Sequence, residues 1–339
     1  MKKYLLPKEG KFYKANLHSH STISDGTLSP EEMKRQYMEK GYSIIAYTDH
    51  DVLIAHPELA EENFLPLNGF ELEINEPSDR EFRSIKTCHI CFIALEPDNL
   101  LMPCYHRSRY LFGNSANYRD KVQFDDMKPD YVRDYTPECI SDMMKQGREN
   151  GFFVTYNHPA WSMETYEQYM NYHNMNAMEI CNFGCLVTGY TDYNEKEYDD
   201  MLRGGKRIYC ISTDDNHNCH EAGTRDYDSF GGFTMIKSDK LEYKTITDAL
   251  VAGNFYASQG PEIYDLWFED GTVHIICSDA DSIVVNTGRR VCKCVYDEGD
   301  GLNEASFKVE PEDIYFRITV NDKSGRHANT NAYFMDELF

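Results

Sequence analysis

Two histidines one residue apart, His18 and His20, end an apolar stretch in KANLHSHSTISDGT, and Asp25 follows in the next loop, just before a glycine. Side chains alternate along a strand, so an HxH pair presents both imidazoles on one face. Similar residues end other apolar runs: His50 in TDHD, Glu71 in NGFE, His158 in TYNHP, and Asp215 and His217 in STDDNH. His89 is the exception, because it precedes its run in CHICFIAL. Its strand either runs antiparallel to the others or begins earlier than the apolar pattern suggests. Imidazole and carboxylate together suit borderline divalent ions such as zinc, manganese or iron. Six histidines and three carboxylates exceed the needs of one four-coordinate zinc, so two or three ions are expected. Closely spaced ions activate a bridging water and polarise a phosphoryl or carbonyl oxygen. His56, His106, His173, His274 and His327 lack this placement and read as surface or packing residues.

The elements that must position these groups follow from periodicity. KFYKANLH reads as a strand. SPEEMKRQYMEKG reads as a helix with Ser29 as cap, Pro30 in the first turn, Glu32 completing a capping box and Gly41 as terminator. YSIIAYTDH is a buried strand, too short and too β-branched for a core helix. Further strands are expected at residues 65–71, 90–95, 152–156, 177–181, 208–212 and 233–237. Helices are expected at 136–150, 164–174 and 194–203. Alternating βα units imply a parallel sheet, and this many imply a barrel whose strand ends share one active face. Residues 99–135 break the rhythm with weak periodicity and many Tyr, Arg, Asp and Met, as in a functional insertion. From about residue 262, strands alternate with DG, TG and SG turns, which reads as a small antiparallel β domain. The expected division is a barrel at residues 1–261 and a small β-sandwich-like domain at 262–339.

The chain has 339 residues and a formal net charge of −23. Such a charge opposes coating a nucleic acid or an anionic membrane surface, but not binding a small anion beside metal ions. No window approaches the length of a membrane span, and MKKYLLPKEGKFYK lacks the apolar run of a secretion signal. The 11 cysteines lack zinc-finger spacing and read as reduced thiols of a cytoplasmic protein.

HSHSTISDG, YTDHD, GFE, the HP after a strand and DNH follow, in order, motifs similar to those of the PHP family, the polymerase and histidinol phosphatase superfamily of metal-dependent phosphoesterases. The resemblance covers roughly residues 11–260 and implies an α/β fold, a distorted (β/α)7 barrel with a di- or trinuclear site. Carried onto this chain, it implies the ligands His18, His20, Asp25, His50, Glu71, His89, His158, Asp215 and His217. It places His18, His20, Glu71 and Asp215 around one ion. Glu71 bridges to a second ion with His89 and His158, and Asp25, His50 and His217 hold a third. The DxH spacing of the family selects Asp215 over Asp214. The tail resembles stand-alone members with a C-terminal β domain.

The function expected is hydrolysis of a small phosphate ester, mono- or diester, by a metal-bridging hydroxide, with two to three Zn, Mn or Fe ions as cofactors and a small anionic substrate as partner. Asp215 is the expected proton acceptor, and His220, three residues past a ligand, a candidate donor to the leaving group. Arg107, Arg109, Arg119 and Arg225 are candidate phosphate contacts. Two alternatives compete. One is carboxylic or carbamic ester hydrolysis by the same cluster. The other is a non-catalytic metal-binding interaction domain.

Overall fold

The computed structural model describes residues 2–339. Strands β1 (Lys2–Tyr4), β2 (Lys11–Asn16), β3 (Ile44–Tyr47), β4 (Leu65–Asn75), β5 (Thr87–Ala94), β6 (Phe152–Tyr156), β7 (Ala177–Asn182), β8 (Tyr209–Thr213), β9 (Phe233–Ser238) and β10 (Phe255–Ser258) alternate with helices α1 (Pro30–Glu39), α2 (Pro137–Glu149), α3 (Tyr166–Tyr169), α4 (Phe183–Val187), α5 (Glu195–Arg203) and α6 (Tyr243–Ala252). The caps explain where the helices begin. Ser29 accepts from the Glu32 amide, and Thr136 accepts from the Cys139 amide. Helix α3 is shorter than its pattern suggests: the chain turns after one helical turn and passes through Asn174 at φ 78°.

The strands follow the order β10-β9-β2-β3-β4-β5-β6-β7-β8. Strands β2, β3 and β4 are parallel, as are β6, β7 and β8, but β5 runs antiparallel to both its neighbours, and β9 runs antiparallel to β2. The uniform parallel sheet expected from βα alternation is therefore interrupted, and β4 and β5 form one long hairpin. This resolves the His89 exception. Because β5 is reversed, a residue near its start lies at the same end of the sheet as residues ending the parallel strands.

The sheet curls until β8 lies against β9 and β10. Side chains rather than a backbone ladder span this closure. The Ser212 amide donates to Thr234 Oγ1, which donates to the Ser212 carbonyl. The Cys210 amide donates to Asn331 Oδ1, whose amide group reaches the carbonyls of Gly253 and Phe255. This is the distortion of the barrel. Helix α6 seals the end opposite the site, packing Ile246, Ala249 and Leu250 with Ile44, Leu67, Phe153 and Ile211.

The remaining chain forms β11 (Ile263–Glu269), β12 (Thr272–Ala280), β13 (Ser282–Thr287), β14 (Cys292–Tyr296), β15 (Leu302–Lys308), β16 (Tyr315–Asn321), β17 (His327–Thr330) and β18 (Tyr333–Phe334). Strands β14, β13, β16 and β17 extend the barrel sheet beyond β10, and β1, β11, β12 and β15 form a second antiparallel sheet. Leu266, Ile275, Val285, Phe307, Ile318 and Val320 share the core of this region. Strand alternation appears in β12, whose residues are buried at every second position over most of its length. Among the described residues, no helix is long and apolar enough to cross a membrane.

Candidate metal centre

The rim is assembled by backbone bonds between strand ends. The Asp215 amide donates to the His18 carbonyl, and the His20 amide donates to the Asn216 carbonyl, which locks the HxH pair against the DxH segment. The Asp51 amide donates to the Glu71 carbonyl and places His50 beside Glu71. Asp51, His158 and Asp215 take positive φ, at 58°, 26° and 53°. Such backbone costs energy and persists where a site requires a particular side-chain direction. The loop carrying Asp25 wraps around Asp49, which accepts from the amides of Ser21 and Ser24 and from both hydroxyls. Gly26 is required there, since a Cβ would lie 2.2 Å from the His20 carbonyl oxygen.

All nine residues implied as ligands converge. His18, His20, Glu71 and Asp215 offer ligand atoms within 4.8 Å of one another; so do His20, Asp25, His50 and His217, and so do His50, Glu71 and His89. His89 Nδ1 and His158 Nε2 lie 3.2 and 3.5 Å from Glu71 Oε1. Asp25 is the most exposed member, 3.5 Å from His217 and 3.8 Å from His50 and His20.

Several rings are oriented from behind. His18 Nδ1 meets Glu179 Oε1 at 2.7 Å, His158 Nδ1 meets Ser162 Oγ at 3.2 Å, and His217 Nδ1 meets the Asp215 carbonyl at 3.1 Å. Each leaves Nε2 facing the cluster. Fixing one ring nitrogen so that the other points inward is the usual support of a metal-binding histidine. Glu179 was not singled out from the sequence. It is fully buried and also accepts from the His158 amide, Asn182 and Thr213. The signal that could have found it is a lone carboxylate inside the apolar strand AMEIC.

The donor set fits a cation. His18 Nε2 and His20 Nε2 face each other at 3.1 Å, and both lie within 3.1 Å of Asp215 Oδ1. Among the described residues, His20 Nδ1, His50 Nδ1, His89 Nε2 and Glu71 Oε2 are buried without a well-formed hydrogen bond, although His50 Nδ1 stands 3.2 Å from Glu71 Oε2 and His89 Nε2 3.4 Å from Glu73 Oε2. A buried polar atom without a partner is costly, and a divalent ion satisfies several at once. Between protein groups alone the field is strongly perturbed. Burial opposes charge on His20, but hydrogen bonds to Asp215 and Glu71 outweigh it and push its pKa up to about 10. Burial and the nearby His20 push His50 down to about 4. The surrounding imidazoles outweigh burial for Glu71 and Asp215 and hold both carboxyls well below their usual range.

The cluster, apart from His18 and His20, floors a cavity of about 470 Å³, also lined by Glu73, Arg83, Phe112, Trp161, Met163 and Tyr190. The insertion reaches the site through other residues than its expected arginines. Ser115 Oγ donates to the His50 carbonyl at 2.7 Å, and Arg133 pairs with Asp51 at 2.5 Å. Arg107 instead pairs with Asp130, and Arg119 donates to the carbonyls of His106 and Arg107, which ties the insertion to itself. Arg109, Arg225 and His220 are exposed and do not line the cavity. Among the described residues, Arg83 is the one arginine or lysine that does, and no sequence pattern marked it.

Asp214 turns the opposite way from Asp215. It accepts from the amides of Phe230, Gly231 and Gly232 and from the Tyr37 hydroxyl, so it clamps a loop rather than facing the cavity.

A family model described as the PHP domain matches residues 16–209, more than half of the chain. The 5'-3' exoribonuclease Rnm of Salmonella typhimurium is 31% identical over 94 residues, covering 21% of this chain and 32% of that protein. A 5'-3' exoribonuclease of Haemophilus influenzae is 38% identical over 66 residues, covering 18% and 24%. The chain thus spans a third or less of the length of these curated relatives. Among solved structures, a two-domain protein from Bacteroides vulgatus containing a predicted PHP-like metal-dependent phosphoesterase aligns over 98% of this chain and 90% of that chain, with 15% identity and a TM-score of 0.46. An amidohydrolase from Chromobacterium violaceum aligns over 63% and 90%, with 18% identity and a TM-score of 0.35. The family match covers the strand-end histidines from His18 to His158 as well as Glu71, and this chain belongs to the PHP domain family.

Proposed function

We propose that this protein hydrolyses a small phosphate ester at a site of two to three divalent ions, zinc, manganese or iron. The observation that carries the reading is the set of converging buried imidazole and carboxylate atoms, left without hydrogen bonds among the described residues, beside one cavity. His18, His20, Glu71 and Asp215 would hold one ion, Glu71, His89 and His158 a second, and Asp25, His50 and His217 a third. Bound there, such ions lower the pKa of water and neutralise charge on a phosphoryl oxygen.

The chain's own residues supply the rest. Glu179, Ser162 and the Asp215 carbonyl fix the rings. Of the two carboxylates in the first ion's set, Asp215 is partly exposed where Glu71 is fully buried, so Asp215 is the one placed to accept a proton from the attacking water. Arg83 lines the cavity and makes no hydrogen bond or ion pair with the described residues, so its guanidinium is free to receive a phosphate oxygen. Hydrolysis forms a bond from the water oxygen to phosphorus and breaks the bond from phosphorus to the alcohol oxygen, which leaves with a proton. In this reading residues 1–261 carry the chemistry, and 262–339 brace the barrel.

The exoribonuclease activity named for the curated relatives also cleaves a phosphate ester, which supports the reaction class. The cavity volume and the net charge of −23 favour a small substrate over a long polyanion. The test is a screen of metal-loaded protein against phosphomonoesters, phosphodiesters and carboxylic esters. Turnover of phosphate esters that chelator abolishes is the expected result. Turnover of carboxylic esters alone would overturn it.

A further inference from the structure

The insertion touches the segments that carry the ligands. Asn114 Nδ2 donates to the Thr22 carbonyl at 3.4 Å, at the start of the Asp25 loop. Ser115, fully buried, donates to the His50 carbonyl at 2.7 Å. Arg133 Nη1 reaches the Asp51 carboxylate at 2.5 Å and donates to the Glu73 carbonyl at 3.0 Å. The Tyr135 hydroxyl donates to Glu164 at 2.8 Å, in the loop that carries His158.

Among these segments, that of His50 depends most on such support. His18, His158 and His217 each have one ring nitrogen held from behind, by Glu179, Ser162 and the Asp215 carbonyl. Both nitrogens of His50 instead face carboxylates of the cluster: Nδ1 lies 3.2 Å from Glu71 Oε2, and Nε2 lies 3.8 Å from Asp25 Oδ2. The direction of this ring is therefore left to the backbone. That backbone is held at the next residue. Asp51 takes φ 58°, a conformation that a residue other than glycine keeps only where its surroundings impose it. Its carboxylate and the Arg133 guanidinium are enclosed together, the side chains 2% and 4% exposed. The guanidinium also lies over the Tyr110 ring, 4.1 Å from its centroid, so Arg133 is itself fixed from within the insertion. A planar fork with a permanent charge suits a buried pair that must join two strand ends. Glu71 needs no such help, because the ladder of β4 and β5 seats it opposite Cys91.

We infer that the insertion positions His50, through Arg133 on Asp51 and Ser115 on the His50 carbonyl, and thereby sets the affinity of the ion held by Asp25, His50 and His217. This rests on the metal-centre reading above. Arg133 and Ser115 are positioning residues and touch neither ion nor substrate. Losing an outer partner of a metal ligand commonly weakens metal binding about 10–100-fold.

Zinc titration of the full chain, stripped of metal and equilibrated at buffered free zinc, with bound ions counted by elemental analysis, tests this. His50→Ala identifies the binding step that belongs to this ion, because that step is lost. Arg133→Met keeps the stem and removes the charge. It should raise the dissociation constant of that step at least about tenfold and leave the other steps within about twofold. Arg133→Lys, which returns a cation to Asp51, should bind that ion more tightly than Arg133→Met does. Ser115→Ala removes only the bond to the His50 carbonyl and should weaken the same step about threefold or more. Should Arg133→Met fail to fold, Ser115→Ala decides alone. Arg107→Ala, in the same insertion but bonded only within it, should change no step.

If the His50 step keeps its affinity in both Arg133→Met and Ser115→Ala, or if all steps weaken together as in a general loosening, the positioning role is overturned and the metal centre stands. It is overturned equally if His50→Ala leaves every step in place. If the unaltered chain binds no zinc, the metal-centre reading itself fails.

Discussion

Two fully buried charged regions of this molecule follow opposite rules. In the C-terminal region, Arg317 on β16 is completely enclosed, yet every branch of its guanidinium is used. Nε donates to Asp199, Nη1 to Thr319 and Asn329, and Nη2 to Glu195. At the barrel rim, Glu71 and the imidazoles around it are just as enclosed, yet among the described residues His20 Nδ1, His50 Nδ1 and Glu71 Oε2 make no well-formed hydrogen bond, the last two facing each other at 3.2 Å. A buried charge satisfied by the protein is structure, because it joins α5 to the β16–β17 pair. A buried cluster left unsatisfied by the protein is a site, because something from outside must complete it. The difference predicts which substitutions will damage function and which will damage the fold.

The largest effect belongs at the rim. Asp215→Asn keeps the size of the side chain and removes its charge and basicity, so kcat and kcat/KM should fall together by at least ~10²-fold. The melting temperature should hardly move. Asp214→Asn, one residue away, should act in the reverse sense. It replaces a carboxylate that accepts three backbone amides with an amide whose nitrogen cannot accept, at a cost of about 2 kcal/mol or more. Kinetics and denaturant midpoints of the two variants should therefore cross. If Asp214→Asn loses turnover at full stability while Asp215→Asn stays active, the roles around this motif must be redrawn.

Arg317→Met tests the other side. Removing Arg317 leaves Asp199 with only the half-exposed Arg203 as a cationic partner, and the fold should lose about 3 kcal/mol. Metal content, measured by elemental analysis, should remain at two to three ions per chain. Chelation should also lower the melting temperature, because ions that bind only the folded state stabilise it by mass action. With no shared partner, the two losses should add within about 0.5 kcal/mol. Strong coupling between them would mean that the C-terminal region shapes the metal site, and the contrast drawn above would fail.

The same contrast explains what could be read in the sequence. The imidazoles and carboxylates that converge at the rim were legible, because a barrel strand must be apolar until it reaches the rim and His50 or Asp215 then stands out. The helix cap at Ser29 was legible for a similarly local reason. The partners of these residues were not. Glu179 hides in a strand whose neighbours are apolar. Asp214 and Asp215 are alike in type and differ only in the direction the backbone gives them. Strand β1 pairs with β11, Lys3 opposite Phe268, and no local pattern couples residues so far apart in the chain. The reversal of β5 was visible only as an anomaly, a histidine on the wrong side of its apolar run. The insertion could be recognised as a departure from periodicity, but which of its side chains face the site depends on tertiary contacts.

The smallest expected effect separates two kinds of arginine. Arg83 lines the cavity with no partner among the described residues, so Arg83→Ala should raise KM for a phosphate ester about tenfold, as loss of a charge-assisted hydrogen bond to substrate would. Arg107 spends its guanidinium on Asp130 and on the carbonyls of Asp126 and Lys128, within the insertion. That pair is half exposed, so Arg107→Ala should cost no more than about 1 kcal/mol of stability, and its effect on KM should stay within about twofold. Arg109→Ala, at an exposed position outside the cavity, should behave the same way. Steady-state kinetics on the three variants with one phosphate ester decides the matter. If Arg107→Ala or Arg109→Ala raises KM more than Arg83→Ala does, the insertion must fold over the substrate during turnover. The partners it shows here would then be those of the open form, and the phosphate contact would belong to the insertion instead of to the rim.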